Sequence, residues 1–147
     1  MTEFKERKRT LMTPNRYTEL FFHDEAVALA AGHRPCGECR RADYVAFLDA
    51  ASHKGKVAAF DSRLHAARAI PRVFQQRRHV ANAKDLPDGT FFISDHGASL
   101  IWEDGIILFD PNGYGENLKR PVGSVEVLTP EPTLEALRAG YVPQVIR

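Results

Sequence analysis

The chain of 147 residues is 44% hydrophobic with a net charge of +1, enough for one ordinary domain whose core needs no disulfide support. No apolar run approaches the ~20 residues of a membrane-spanning helix, and the polar, basic stretch from Met1 to Arg9 lacks the apolar segment of a secretory signal. Both features speak against a membrane partner and set the expectation of a cytoplasmic protein.

The small net charge hides an asymmetry. Residues 1–84 hold 16 Lys and Arg against 9 Asp and Glu, or +7, whereas residues 85–147 hold 4 against 10, or −6. The first part is suited to face a polyanion, although the two parts can equally attract each other or carry solvated charge.

In chain order, Met1 to Thr13 is a basic leader with no clear element. Arg16 to Phe22 is aromatic and β-branched and reads as a strand. Asp24 then offers an N-cap, Glu25 sits in the first turn, and Val27, Ala30 and Ala31 give a short helix an apolar side before Gly32 ends it. The turn Gly32-His33-Arg34-Pro35-Cys36-Gly37-Glu38-Cys39-Arg40-Arg41 follows and contains both cysteines of the chain. From Arg40 to about Ser52, Tyr44, Phe47, Leu48 and Ala51 recur at helical spacing on one face. His53-Lys54-Gly55-Lys56 breaks that helix, and a further one is expected from Asp61, with Leu64, Ala66 and Ala67, towards Pro71. Arg72 to Lys84 is polar and basic and reads as loop with room for a short strand.

Beyond Asp85 the pattern becomes β-rich. Thr90–Ser94, Ser99–Trp102 and Ile106–Phe109 read as a three-strand meander joined at Asp95-His96-Gly97 and Glu103-Asp104-Gly105. Pro111 to Gly115 reads as a longer bend, Ser124–Leu128 as a fourth strand, and Thr129-Pro130 as the opening of a short helix stopped by Gly140. The expected fold is therefore α+β: a helical, zinc-knuckle-like half, residues 1–84, packed on a small antiparallel β half, residues 85–147.

The cysteine turn carries the chemistry. Two thiolates separated by two residues point at one centre when the turn is tight, which supplies half of a tetrahedral zinc site. In a reducing compartment such a pair is a metal or redox element rather than a structural disulfide. Three readings stand for Cys36 and Cys39, with metal foremost: a metal pair, a packed remnant of one, or a redox or nucleophilic pair. With no third cysteine, a closed Cys2His2 site has to recruit histidines, and His65 and His79 are the candidates because both follow the turn in the basic half. Arg34, Arg40, Arg41, Arg77 and Arg78 are the candidate phosphate contacts.

Residues 16–43 resemble the metal-binding domain of Ada-type bacterial DNA-alkylation repair regulators. The resemblance is carried by Phe21-Phe22, by Ala28-Leu29-Ala30-Ala31-Gly32, and by His33-Arg34-Pro35-Cys36 with Cys39. In that family an aromatic precedes the Arg-Pro-Cys turn, and two earlier cysteines complete the zinc site, one of them the methyl-accepting nucleophile. Here His33 stands at the aromatic place, neither earlier cysteine is present, and Lys5 and Arg9 fall near their positions. The resemblance thus implies the strand, helix and knuckle with zinc as cofactor, and does not extend to methyl-phosphotriester repair.

No phosphate loop, nucleotide-binding glycine pattern, Gly-x-Ser-x-Gly elbow or His-Glu-x-x-His occurs. Asp88, Asp95, Asp104 and Asp110 sit at strand ends and turns, where aspartate serves local hydrogen bonding. Trp102, Phe109 and Tyr114 suit stacking on a base but also suit a core. The expectation is a zinc-binding module in contact with nucleic acid, the alternative being a metal-dependent enzyme with an open zinc position in the cleft between the halves.

Overall fold

The computed structural model describes residues 3–4, 7–8, 14 and 20–147. Most of the basic leader, and Arg16 to Glu19 of the expected first strand, lie outside them; Leu20 to Phe22 carry no strand. Among the described residues the fold is α+β, with four α-helices, a six-stranded antiparallel sheet and two short ribbons. The first ribbon pairs β1 (Glu3–Phe4) with β2 (Arg7–Lys8).

Helix α1 (Glu25–Ala30) starts as its sequence demands, with Asp24 extended and its Oδ1 accepting the Val27 amide at 2.9 Å. It ends in a Schellman turn: Gly32 takes φ +79°, its amide donates to Leu29 O, and the His33 amide donates to Ala28 O. Helix α2 (Arg41–Ala50) ends the same way, with the Ser52 amide donating to Asp49 O and that of His53 to Leu48 O. Here a serine, not a glycine, holds the left-handed position at φ +51°.

Helix α3 (Val57–Arg68) begins four residues before the expected Asp61. Burial decides this start, because Phe60 is fully buried edge-on against Phe47 of α2, ring centroids 5.7 Å apart. Asp61 is no cap; it lies in the second turn of the helix and binds Arg34. After α3 the chain folds back as a second ribbon, β3 (Ala69–Ile70) against β4 (Gln75–Gln76), before β5 (His79–Asn82) joins the main sheet.

The expected meander is present as β6 (Phe91–Ser94), β7 (Gly97–Trp102) and β8 (Gly105–Asp110). The stretch read as a bend is a further strand, β9 (Gly113–Lys119), on the edge beside β8. Its residues Gly-Tyr-Gly-Glu-Asn-Leu-Lys lack alternation because an edge strand faces water along much of its length. Strand β10 (Ser124–Val127) inserts between β5 and β6, giving the order β5-β10-β6-β7-β8-β9. Helix α4 (Glu131–Arg138) follows, and Gly140 closes it at φ +100°.

Adjacent residues of the meander enter different cores. Phe92, Ile101 and Ile106 pack with Leu29, Phe47, Phe60, Leu64, Leu134 and Leu137, while Phe91, Leu100 and Ile107 pack with Ala26 and Ala30. Because successive strand residues face opposite sides, the sheet is covered on both faces, which explains its near-continuous apolar runs. The helical and β parts thus share their cores. Arg63 pairs with Glu135 at 3.1 Å and Arg78 with Glu126 at 3.2 Å, so part of the +7 and −6 opposition is spent between them. Asp110 serves the local amide of Asn112, whereas Asp88 accepts from the Glu103 amide fifteen positions on. No helix among the described residues is long and apolar enough to cross a membrane.

Candidate metal centre at the cysteine turn

The Schellman turn at Gly32 aims the chain into the cysteine segment. A Cβ at Gly32 would lie 2.2 Å from Cδ of Arg68, so glycine is required there for contact as well as for φ. Arg68 Nη1 in turn donates to the carbonyls of Ala31 and Gly32, at 3.3 and 2.9 Å. From the other side, Arg34 forks onto Asp61 of α3, Nε to Oδ1 at 2.6 Å and Nη2 to Oδ2 at 2.9 Å. The turn is therefore clamped to α3 at two points, through Arg68 of the helix and Arg34 of the turn.

Within the turn, the amides of Glu38 and Cys39 both point at Cys36 Sγ, at 3.4 and 3.5 Å. The Cys39 amide above all holds the Cys36 thiol below its ordinary range, against burial and with help from the Glu38 amide and the Cys39 side chain. Cys39 is pushed the other way, first by burial and then by its hydrogen bond to Cys36 and the charge there. The two thiols are thus shifted in opposite directions, with the downward shift on Cys36, the more exposed of the two.

Cys36 opens onto a cavity of about 340 Å³ lined by His33, Arg34, Asp61, Leu64, His65 and Arg68. His65, on α3, is thus brought to the cysteine side. His33 also lines the cavity, packed against Phe22 with ring centroids 4.8 Å apart; burial, and then the charge of Arg68, lower its pKa, so the ring favours its neutral form. His79 goes elsewhere: it stands on β5, paired with Val127, with Nε2 3.4 Å from Glu131 of α4. Among the described residues no three His, Cys, Asp or Glu side chains converge to hold a metal. The cavity wall comes from residues 32–68, within the helical half rather than between the halves.

The five candidate arginines separate into different roles. Arg34 is used by Asp61, and Arg77 donates its Nε to Ala66 O at 3.2 Å. Arg40, expected at a phosphate, instead caps the buried Glu25: Nη1 lies 3.0 Å from Oε1 and Nη2 3.1 Å from Oε2, while Nε binds Asp43. Arg41 is exposed, its guanidinium 5.5 Å from the Tyr44 ring centre, and among the described residues Arg78 makes an exposed pair with Glu126.

Sequence reasoning missed a polar cluster behind the turn. Glu25 also accepts from the Tyr141 hydroxyl and the Gln144 amide, and Asp24 from the Tyr114 hydroxyl at 2.7 Å and the Ile146 amide at 3.0 Å. Burial, reinforced by these carboxylates, drives both tyrosines' pKa values upward, so they remain neutral donors. The adjacent Asp-Glu pair at a helix start was the only local signal, and it reads equally well as a cap.

Fold and site together define an α+β protein in which a thiolate-stabilising Cys-x-x-Cys turn is clamped between helices. No family model, no curated protein and no solved structure matches the chain.

Proposed function

We propose that the chain is a zinc-binding, Ada-like module that contacts nucleic acid without sequence preference. The observation that carries the metal reading is the pair of amides directed at Cys36 Sγ, because such amides stabilise the deprotonated sulfur that a metal requires. Cys36 and Cys39 would supply two ligands; His65, which lines the cavity onto which Cys36 opens, would have to move towards the pair to supply a third. His79, held on β5 beside Glu131, is left out of that set. For nucleic acid, Arg41 and Arg78 are the exposed contacts; an exposed ion pair such as Arg78–Glu126 is worth only about 0–1 kcal/mol and yields readily to a phosphate. Arg34 and Arg40 are taken up by Asp61 and Glu25, and Arg77, itself exposed, by the Ala66 carbonyl.

Elemental analysis of the purified protein tests the metal reading, together with the near-ultraviolet thiolate band of the Co(II)-substituted form. Near-stoichiometric zinc is expected, falling in Cys36→Ser and Cys39→Ser and weakened in His65→Ala. A protein free of metal, whose melting ignores both added zinc and a chelator, overturns it. Salt-dependent binding of unrelated oligonucleotides tests the second part.

A further inference from the structure

We infer, building on the nucleic-acid contact proposed above, that the β3–β4 hairpin is a wedge whose tip residue Phe74 stacks on an unpaired base of a single strand. The four-residue tip is Pro71-Arg72-Val73-Phe74. Phe74 is fully exposed, at 104% of its reference area, and Val73 is half exposed. Two non-glycine residues of this tip, Arg72 and Phe74, take positive φ, at +68° and +51°. A bulky residue in that region is an outlier, and such outliers concentrate where a loop does work on a ligand. Burial cannot explain the conformation, since the ring it presents touches solvent.

The hairpin is rigid at its base. Gln76 Nε2 donates to Ala30 O and Leu128 O, at 3.0 and 2.9 Å, and the Arg77 amide donates to Arg68 O at 2.7 Å. A wedge held in place in advance loses little freedom on binding. Charge selects the partner. Arg72 at the tip is exposed and has no ion-pair partner among the described residues, and Arg78 on the outgoing limb is only loosely held. Two apolar side chains are a small anchor for a bilayer, whereas one aromatic ring beside phosphate-binding arginines matches a stacking platform on a single strand. The hairpin also borders the cysteine turn, because His65 and Arg68 line both the cysteine cavity and a cavity of about 430 Å³ that Phe74 helps to line.

Fluorescence anisotropy of the full chain with labelled single-stranded DNA, single-stranded RNA and duplex DNA, over a series of salt concentrations, tests the wedge. Single strands are expected to bind more tightly than the duplex. Phe74→Ala should weaken single-strand binding by about tenfold or more at an unchanged salt slope, and Phe74→Trp should restore it. Arg72→Gln should reduce the salt slope by about 0.7. Phe74 lies outside both cores, so circular dichroism and melting should match the parent protein. If the parent binds single strands and Phe74→Ala binds them equally well, the wedge is overturned while the nucleic-acid reading stands. If the parent binds no nucleic acid at low salt, that reading fails and the wedge with it. Phe74-dependent binding to phosphatidylserine vesicles, with oligonucleotide binding insensitive to Phe74, also overturns it, in favour of a membrane surface.

Discussion

Arg40 and Glu25, fifteen positions apart, meet as a two-pronged ion pair in which the Glu25 side chain keeps only 4% of its exposure. The residue after the second cysteine is thereby fastened to the helix before the first. Tyr141 and Gln144 reach the same carboxylate from the C-terminal segment, so one buried charge joins three parts of the chain. Burying a carboxylate is costly unless all its partners are present.

Arg40 and Arg41 should therefore respond oppositely to replacement. Arg40→Ala leaves Glu25 short of its cation and should cost about 2–3 kcal/mol; the arginine's 31% exposure places this at the low end for a broken buried pair. Arg41→Ala should change stability by less than about 0.5 kcal/mol while weakening nucleic-acid binding. Urea unfolding of both variants measures the contrast, and equal losses would refute the division of roles.

The metal-free protein should alkylate unevenly. Its amides hold the Cys36 thiol down, so iodoacetamide labelling there should reach half its maximal rate at a lower pH than at an ordinary, unpaired thiol. Cys39, shifted upward, should titrate later. Peptide mass spectrometry across a pH series separates the two sites, and identical profiles would contradict the turn geometry.

His33 should make the protein sensitive to mild acid. Its folded-state pKa lies below the unfolded value, so its contribution is complete above about 6.5 and is lost as pH falls from there through the folded value. His33→Phe, which keeps a ring against Phe22, should remove that component of the pH dependence. Stability curves of the two proteins between neutrality and mild acid should converge or cross, and parallel curves would assign the sensitivity elsewhere.

Two left-handed residues at helix ends provide a paired test. Ser52 holds φ +51° after α2, and Ser52→Gly should stabilise by about 0.5–1 kcal/mol. Gly32→Ala combines an unfavourable φ with a 2.2 Å approach to Arg68 and should cost about 2 kcal/mol or more. Since Arg68 also holds the base of the hairpin, the second change should weaken oligonucleotide binding, measured on the same samples.

Much of the fold was legible because its signals are short-range. The cap at Asp24, the stops at Gly32 and Gly140, and the turns at Asp95-His96 and Glu103-Asp104 each depend on a few neighbouring residues. The start of α3 was misplaced because Phe60 is drawn into the helix by Phe47, and β9 was missed because its glycines and polar residues need only β8 beside them to form a strand.

By itself the sequence determined the α+β composition, the helix-bounded cysteine turn and the meander, since capping, periodicity and turn chemistry act within one or two turns of chain. Only the tertiary structure decided which charges are free. Arg40 belongs to Glu25, Arg34 to Asp61, and His79 to the sheet beside Glu131, while His65 shares a cavity with Cys36 and Phe74 stands in solvent. The reason is distance along the chain: Glu25 meets Tyr141 across 116 positions. No local pattern encodes such a partner, because it is chosen by whichever group the folded cores bring within hydrogen-bonding reach.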